Sequence, residues 1–283
     1  MRVVLRLRRL VPAISALSLL ISQTAASAAV LVYADVDGTA NWNTTEQAWT
    51  NTGTPSVWIS TSSAEFSNGN AANVVTLTEA INAAAITQSG VGTKTTIGGS
   101  GMTLTLSGGG ANPVVANSSG ADLTFASGLT IQQSPGTPGD AQRWNAAAGS
   151  NIIVNATLSG ALTGGLIKEG AGVLQLNAAN NYSGATYLSA GVLQVGNATA
   201  LGTSTLTFQG GTLRYGLAIS GGLSTQFAAL AGSAAILDTN GFDITLGSAV
   251  TGTGGLVKQG SGILTTTAGS TYTGGTTVEA GIL

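Results

Sequence analysis

Residues 164–193 read GGLIKEGAGVLQLNAANNYSGATYLSAGVL, and residues 254–283 read GGLVKQGSGILTTTAGSTYTGGTTVEAGIL. The two stretches align without a gap at an offset of 90 residues. Roughly half of the aligned positions are identical, and such self-similarity marks a repeat architecture. The shared positions include Gly165/Gly255, Lys168/Lys258, Gly170/Gly260, Gly172/Gly262, Tyr182/Tyr272, Gly184/Gly274 and Gly191/Gly281. Most are turn glycines or apolar strand residues. Each copy divides into short strands between turns, GLIK, GVLQL, ATYLS and GVLQVG in the first. Rung-like spacing and scarce charge suit a coiled stack in which each turn of chain pairs with the next. Stacking buries identical apolar rows and uses up backbone donors along the axis.

The same style extends upstream. NVVTLTEA (73–80), MTLTLSGGG (102–110), ADLTFASGLTIQQ (121–133) and NIIVNATLSG (151–160) are strand-and-turn text. Thr103-Leu104-Thr105-Leu106 alternates polar and apolar, the period-2 sign of a half-buried strand. SPGTPGD (134–140) is the strongest loop, and INAAAI (81–86) is the one place where a helical turn is expected. Weaker strand material at 196–253 is expected to fill the coils between the two clear copies. The expected class is all-β, with a coiled stack over residues 71–283 favoured over a hairpin meander of the same short strands.

Composition agrees. Charged residues make up 7% and glycine 42 of 283 positions, against roughly 25% charged and 7% glycine in an average domain. Cys and His are absent. Disulfides, thiolate nucleophiles, imidazole bases and Cys/His zinc sites are thereby excluded.

The chain opens with MRVVLRLRR, an apolar run from Leu10 to Ile21, and an Ala26-Ser27-Ala28 exit. Those are the three parts of a secretory signal peptide, expected over residues 1–28. Its removal leaves five basic residues against eleven acidic ones, a net charge of −6. Five dispersed cations cannot track a phosphate backbone, so nucleic acid is not an expected partner.

Residues 29–70 carry Trp42, Trp49 and Trp58. They are expected to form an N-terminal aromatic cap, because solenoids need distinct terminal units. The competing reading makes the same three tryptophans a glycan-stacking platform.

The pattern GG-L-x-K-x-G-x-G-x-L, then Tyr-Ser/Thr-Gly-x-Thr, then Ala-Gly-x-Leu resembles the autotransporter-associated β-strand repeat. GNATALG (196–202) is similar to that family's continuation, and the Trp-rich opening with Phe66-Ser67-Asn68-Gly69 to the segment that often precedes such arrays. The resemblance implies a right-handed parallel β-helix, exported to the cell surface or secreted, acting as a non-catalytic structural and adhesive passenger or stalk. Extracellular polysaccharide or neighbouring cell-surface proteins are the implied partners. The chain stops within a repeat at Ala280-Gly281-Ile282-Leu283, so the array is expected to be truncated. Membrane attachment is expected only through segments outside this sequence.

Catalytic readings are weaker. The runner-up is a polysaccharide-binding or polysaccharide-degrading β-helix, with Asp35 and Asp37 as the tightest carboxylate pair. Asp35 to Glu46 has the length of a calcium loop, but its glycine falls at the fourth place, not the sixth. Asp238 and Asp243 flank a Thr-Asn-Gly turn and read as turn residues. GGSG (98–101) and GTGG (252–255) lack the Lys-Ser/Thr of a phosphate loop. No catalytic residue, metal or cofactor is assigned. Lys168 and Lys258 read as architectural, lysines beside a turn that discourage edge pairing.

Overall fold

The computed structural model describes residues 62–67, 72–134, 139–219 and 223–283, and the backbone of four short strands between 30 and 56. Those strands are Val30–Tyr33, Thr39–Trp42, Trp49–Asn51 and Thr54–Ser56. The leader and Trp58 lie outside the described residues. The fold is all-β, a parallel β-solenoid. The 3-10 turn Ser224–Gln226 is the one helical piece among the described residues. INAAAI is not helical: it is the strand Ile81–Ala83 and the start of the strand Ala85–Gln88. Its two halves belong to different sides of the coil, Ile81 and Ala83 to the four-stranded sheet and Ile86 to the ten-stranded one.

Two sheets of ten and eleven strands run along the solenoid, with a four-stranded and a two-stranded sheet beside them. In the early coils the chain visits three sides in turn. Ala85–Gln88 is on the ten-stranded sheet, Lys94–Gly98 on the eleven-stranded sheet and Thr103–Leu106 on the four-stranded sheet. Strands on these sides pair in parallel, as in Leu123↔Ile152 and Leu104↔Ile131. Every described strand is short, because a coil that must turn three corners leaves few residues for each side.

The coil then narrows. On the eleven-stranded sheet successive strands begin at Lys94, Asp122 and Asn151, steps of 28 and 29 residues. Further on they begin at Val173, Val192 and Thr212, steps of 19 and 20. Among the described residues the third side carries no regular strand between Thr157–Ser159 and Ile244–Leu246.

Alternation along each strand selects the core. Ile97, Phe125, Val154, Leu176, Val195 and Tyr215 form one inward column in register, all buried. A parallel column of nearly full-length side chains repeats the same apolar contact at every coil. Stability therefore accumulates between neighbouring coils. Trp144, the tryptophan outside the N-terminal group, is fully buried with its ring centroid 6.0 Å from that of Phe125.

At the N-terminal end the pairing changes hand. Val30–Tyr33 pairs in parallel with Ser63–Phe66 on one edge, and antiparallel with Trp49–Asn51 on the other. Thr54–Ser56 adds the outermost strand, again antiparallel, with Pro55 in its middle. Proline is tolerated on an outermost strand because nothing there needs its missing N–H.

The two repeat copies do not lie on the same sides. Leu166–Glu169 is on the ten-stranded sheet and Val173–Leu176 on the eleven-stranded one. In the second copy Leu256–Gln259 is on the eleven-stranded sheet and Leu264–Thr266 on the two-stranded sheet. That last sheet follows the eleven-stranded one in chain order, as the four-stranded sheet does in early coils. The motif has moved one side round the solenoid. This corrects the expectation that identical rows stack on one another, since 90 residues is not a whole number of coils.

Candidate functional site

The repeat motif is a corner. In GLIKEG the backbone alternation turns Leu166 and Lys168 inward and Ile167 and Glu169 outward. Lys168 is fully buried and takes its place in the inward column after Val115 and Trp144 and before Leu188. Its Nζ donates to the carbonyls of Glu169 at 2.8 Å, Gly170 at 2.8 Å and Ala190 at 3.1 Å. The first two belong to its own turn and the third to the turn stacked on it. Three ammonium hydrogens meet three carbonyls at the corner, which is what a buried cation requires.

Lys258 repeats the arrangement one side further round. It is fully buried below Leu237 in another inward column. Its Nζ donates to the carbonyls of Gln259 at 2.9 Å, Gly260 at 2.7 Å and Ala280 at 3.0 Å, and to Thr239 Oγ1 at 3.1 Å. These lysines are architectural, but burial overturns the expectation that they discourage edge pairing. They fasten corners from inside. Burial lowers Lys168 to about 8, with the Glu169 carboxylate pulling it back up. Lys258 is lowered for the same reason and raised in part by Asp238.

The glycines make room for this. Gly191 has φ 63°, and a Cβ there would fall 2.3 Å from the Gly170 carbonyl oxygen. A Cβ on Gly281 would fall 2.5 Å from the Gly260 oxygen and 2.7 Å from Lys258 Nζ. At Gly165, Gly172, Gly184, Gly255, Gly262 and Gly274 a Cβ would come within 2.0–2.6 Å of other backbone atoms.

Tyr182 and Tyr272 close the other end of the motif. The Tyr182 hydroxyl is fully buried, 2.9 Å from Thr186 Oγ1, which lies 2.9 Å from Ser204 Oγ on the next coil. Tyr272 meets Thr276 in the same way at 2.6 Å. The spacing Tyr-x-Gly-x-Thr is thus a hydrogen-bonded pair across a turn. Thr186 was legible as a shared position of the two copies. Ser204 lies outside both copies and left no such signal.

Earlier coils fasten their corners with amides in place of ammonium groups. Gln88 Nε2 donates to Ser119 Oγ at 2.7 Å and to Asn117 Oδ1 at 3.2 Å. Asn117 Nδ2 donates to the carbonyls of Ala121 at 2.8 Å and Asn151 at 2.7 Å. Sequence reading missed these residues, because a lone Gln or Asn in a strand does not announce burial.

The outward faces are polar ladders. On the four-stranded sheet Asn82, Thr105, Gln132 and Ser159 are in register, with Thr103, Thr130 and Thr157 in the next column. Ser159 Oγ donates to Gln132 Oε1 at 2.8 Å, and Asn177 Nδ2 to Asn155 Oδ1 at 2.9 Å. Carboxylates serve the same purpose. Arg143 pairs with Glu169 at 2.8 Å and Arg214 with Asp238 at 2.7 Å. Asp122 accepts from Asn151, Glu65 from Ser89 and Glu279 from Gln259. Asp243 Oδ1 accepts from the Ile263 N–H at 2.9 Å, and Asp238 Oδ1 from the Asn240 N–H at 2.8 Å, as strand-end and turn residues do.

The backbone of Trp42 lies in a strand of the eleven-stranded sheet, and that of Trp49 in a strand of the ten-stranded sheet. Asp35, Asp37 and Glu46 lie outside the described residues. Among the described residues no group of three or more acidic side chains is placed to hold a metal ion. No helix there is long and apolar enough to cross a membrane.

Comparison with known proteins agrees with this geometry. Residues 166–195 and 256–283 match the passenger-associated-transport-repeat family. The chain is similar to the adhesin BmaC autotransporter of Brucella suis biovar 1 (strain 1330), at 36% identity over 146 residues. That match covers 47% of this chain and 4% of the adhesin. No solved structure matches. The two matched segments carry the passenger-associated-transport repeat.

Proposed function

We propose that this chain is a segment of an exported passenger, displayed at the cell surface, that works as a non-catalytic adhesive rod. The observation that carries the reading is a parallel solenoid whose corners match transport repeats and whose sequence is similar to an autotransporter adhesin. The outward faces support it. They present polar groups at each coil, spaced by about 4.8 Å as strands are. Weak contacts repeated along a rod gain strength by avidity. Extracellular polysaccharide or neighbouring surface proteins are the partners such faces suit. The carboxylates support a structural reading too, since Glu65, Asp122, Glu169, Asp238, Asp243 and Glu279 are engaged in bonds between coils.

The test is protease shaving of intact host cells, read with an antibody against residues 164–283, alongside attachment of the same cells to a coated surface. Loss of signal and of attachment, without lysis, is the expected result. A signal protected until the outer membrane is permeabilised would overturn surface display. Shaving that removes the signal but leaves attachment unchanged would overturn the adhesive role.

A further inference from the structure

The Thr239-Asn240-Gly241 turn lies between the strands Ala235–Asp238 and Ile244–Leu246, at a corner of the solenoid. The Phe242 N–H donates to the Thr239 carbonyl at 2.9 Å, and Asn240 and Gly241 have φ 50° and 86°. Two positive φ values are what a type I′ turn requires. Glycine adopts them freely, but an asparagine held there is strained against the backbone carbonyl. Both residues are exposed.

This pair carries the groups of an intramolecular reaction. The Gly241 N–H makes no hydrogen bond among the described residues. A Cβ on Gly241 would meet nothing nearer than Ser261 Oγ at 3.7 Å. The nitrogen is therefore free to lose its proton, and no side chain screens it. To reach Asn240 Cγ, the peptide between the two residues has to rotate. That motion breaks the turn bond and the 3.2 Å bond from Asn240 Nδ2 to the Tyr215 carbonyl. Against those two bonds stands the strain of the turn. Every other asparagine among the described residues is followed by a residue with a Cβ, which crowds the same attack. The chain's second Asn-Gly pair, Asn68-Gly69, lies outside the described residues.

The neighbouring coil leaves no room for added length here. Asp238 Oδ1 accepts from the Asn240 N–H at 2.8 Å, and its Oδ2 pairs with Arg214 at 2.7 Å. Lys258 Nζ donates to Thr239 Oγ1 at 3.1 Å. Gly260 of the next coil lies so close that a Cβ on it would fall 2.5 Å from the Asn240 nitrogen.

We propose that Asn240 is a spontaneous deamidation site of the folded chain, and that its isoaspartate product opens the joint to the next coil. In the first step the Gly241 nitrogen bonds to Asn240 Cγ and gives up its proton. The Cγ–Nδ2 bond breaks, and Nδ2 leaves as ammonia with that proton. A succinimide ring remains, and water opens it. Cleavage of the new nitrogen–Cγ bond yields aspartate, which adds a carboxylate beside Asp238. Cleavage between the nitrogen and the main-chain carbonyl carbon yields isoaspartate, whose backbone runs through Cβ and Cγ. That lengthens the chain where Gly260 leaves no space. Water is the single co-reactant, so no enzyme is needed. The inference is independent of adhesion.

The test is peptide mapping by mass spectrometry of the full chain, native and N240G, incubated at mildly alkaline pH both folded and unfolded in guanidinium chloride. Glycine at 240 keeps the positive φ. Electron-transfer fragmentation separates isoaspartate from aspartate. In the folded native chain the Asn240 peptide is expected to gain the mass of amide-to-acid conversion ahead of every other described asparagine. The rate is expected to rise with pH, because the attacking nitrogen must lose its proton. Conversion of Asn240 only in the unfolded chain overturns the proposal, as does faster conversion of an asparagine in a strand. Hydrogen exchange reads the consequence. The Thr239 and Phe242 amides, bonded to the Gln259 and Thr239 carbonyls, are expected to exchange severalfold faster in the aged native chain and at an unchanged rate in aged N240G. Unchanged exchange in a chain that carries isoaspartate at 240 overturns the opened joint.

Discussion

The ammonium group of Lys168 donates to the Ala190 carbonyl of the next coil over 3.1 Å, and Lys258 does the same to Ala280 over 3.0 Å. One buried side chain thus joins two stacked turns, and the joint recurs at a different corner of the solenoid. The consequence is local. Removing the lysine leaves the carbonyls of Glu169, Gly170 and Ala190 without their donor. Lys168→Met is expected to cost about 2–3 kcal/mol, from the penalty of buried unsatisfied acceptors. Urea unfolding measures the loss. Hydrogen exchange is expected to quicken first at Ser189 and Ala190, whose N–H groups bond to the Lys168 carbonyl. Unchanged exchange at those two amides would remove the lysine from the joint.

The pH dependence has a definite sign. Burial lowers Lys168 to about 8, while an unfolded lysine stays near about 10.4. Between those values the unfolded chain holds a proton that the folded chain has released, so stability rises with pH across that window. Tyr182 and Tyr215 act in the opposite direction. Burial raises both above the ordinary tyrosine value of 10.0, so above about 10 the unfolded chain ionises first and stability falls. Unfolding free energy measured from neutral to strongly alkaline pH is expected to climb to a maximum near about 10 and then drop. Lys168→Met is expected to flatten the climb and leave the drop.

Gly191→Ala tests the close approach of stacked turns. The residue has φ 63°, and the added Cβ would lie 2.3 Å and 2.5 Å from the oxygens of Gly170 and Gly172. A cost of about 1–3 kcal/mol is expected, from overpacking against backbone that cannot move aside. Gly92→Ala is the comparison. Its φ is also positive, at 73°, but nothing lies within 4 Å of an added Cβ, so it isolates the backbone strain. Equal losses at the two sites, by thermal unfolding, would show that the contact contributes nothing.

The two motif tyrosines separate burial from local geometry. Tyr182→Phe breaks a buried chain of hydroxyls through Thr186 to Ser204 and is expected to cost about 1–2 kcal/mol. Tyr272→Phe removes a bond to an exposed Thr276, where water replaces it, and is expected to change stability by less than about 0.5 kcal/mol. Denaturation midpoints of the two variants provide the check.

The one-side shift of the motif can be trapped with cysteines, since the native chain has none. Asp238 and Gln259 are register partners, as are Asn145 and Glu169. Asp238→Cys with Gln259→Cys, and Asn145→Cys with Glu169→Cys, are each expected to oxidise to a disulfide. Ala148→Cys with Glu169→Cys is the first pair moved back by 90 residues, and it is expected not to. Mobility on non-reducing gels distinguishes these outcomes. Efficient closure of the Ala148 pair would mean that the two copies stack in phase.

The sequence by itself determined that the chain is a parallel all-β coil. Glycines punctuate most of its corners, Thr103 to Leu106 alternates with period 2, and two copies of one motif are written almost in full. Each of these is a local signal: a turn needs its glycine and a strand its alternation, wherever the coil stands. Only the tertiary structure decided which way the motif lysines point. Hydropathy places a lysine outside, yet the period of two places Lys168 inside, and the carbonyls of Glu169, Gly170 and Ala190 that meet its ammonium settle the contest for burial. It also decided that the second copy is turned one side round from the first. Coil length depends on how many strands the three sides carry, and the sides change from steps of 28 and 29 residues to steps of 19 and 20 along the axis. A linear count of 90 residues between copies contains no record of that change, because coil circumference is fixed by packing across the interior.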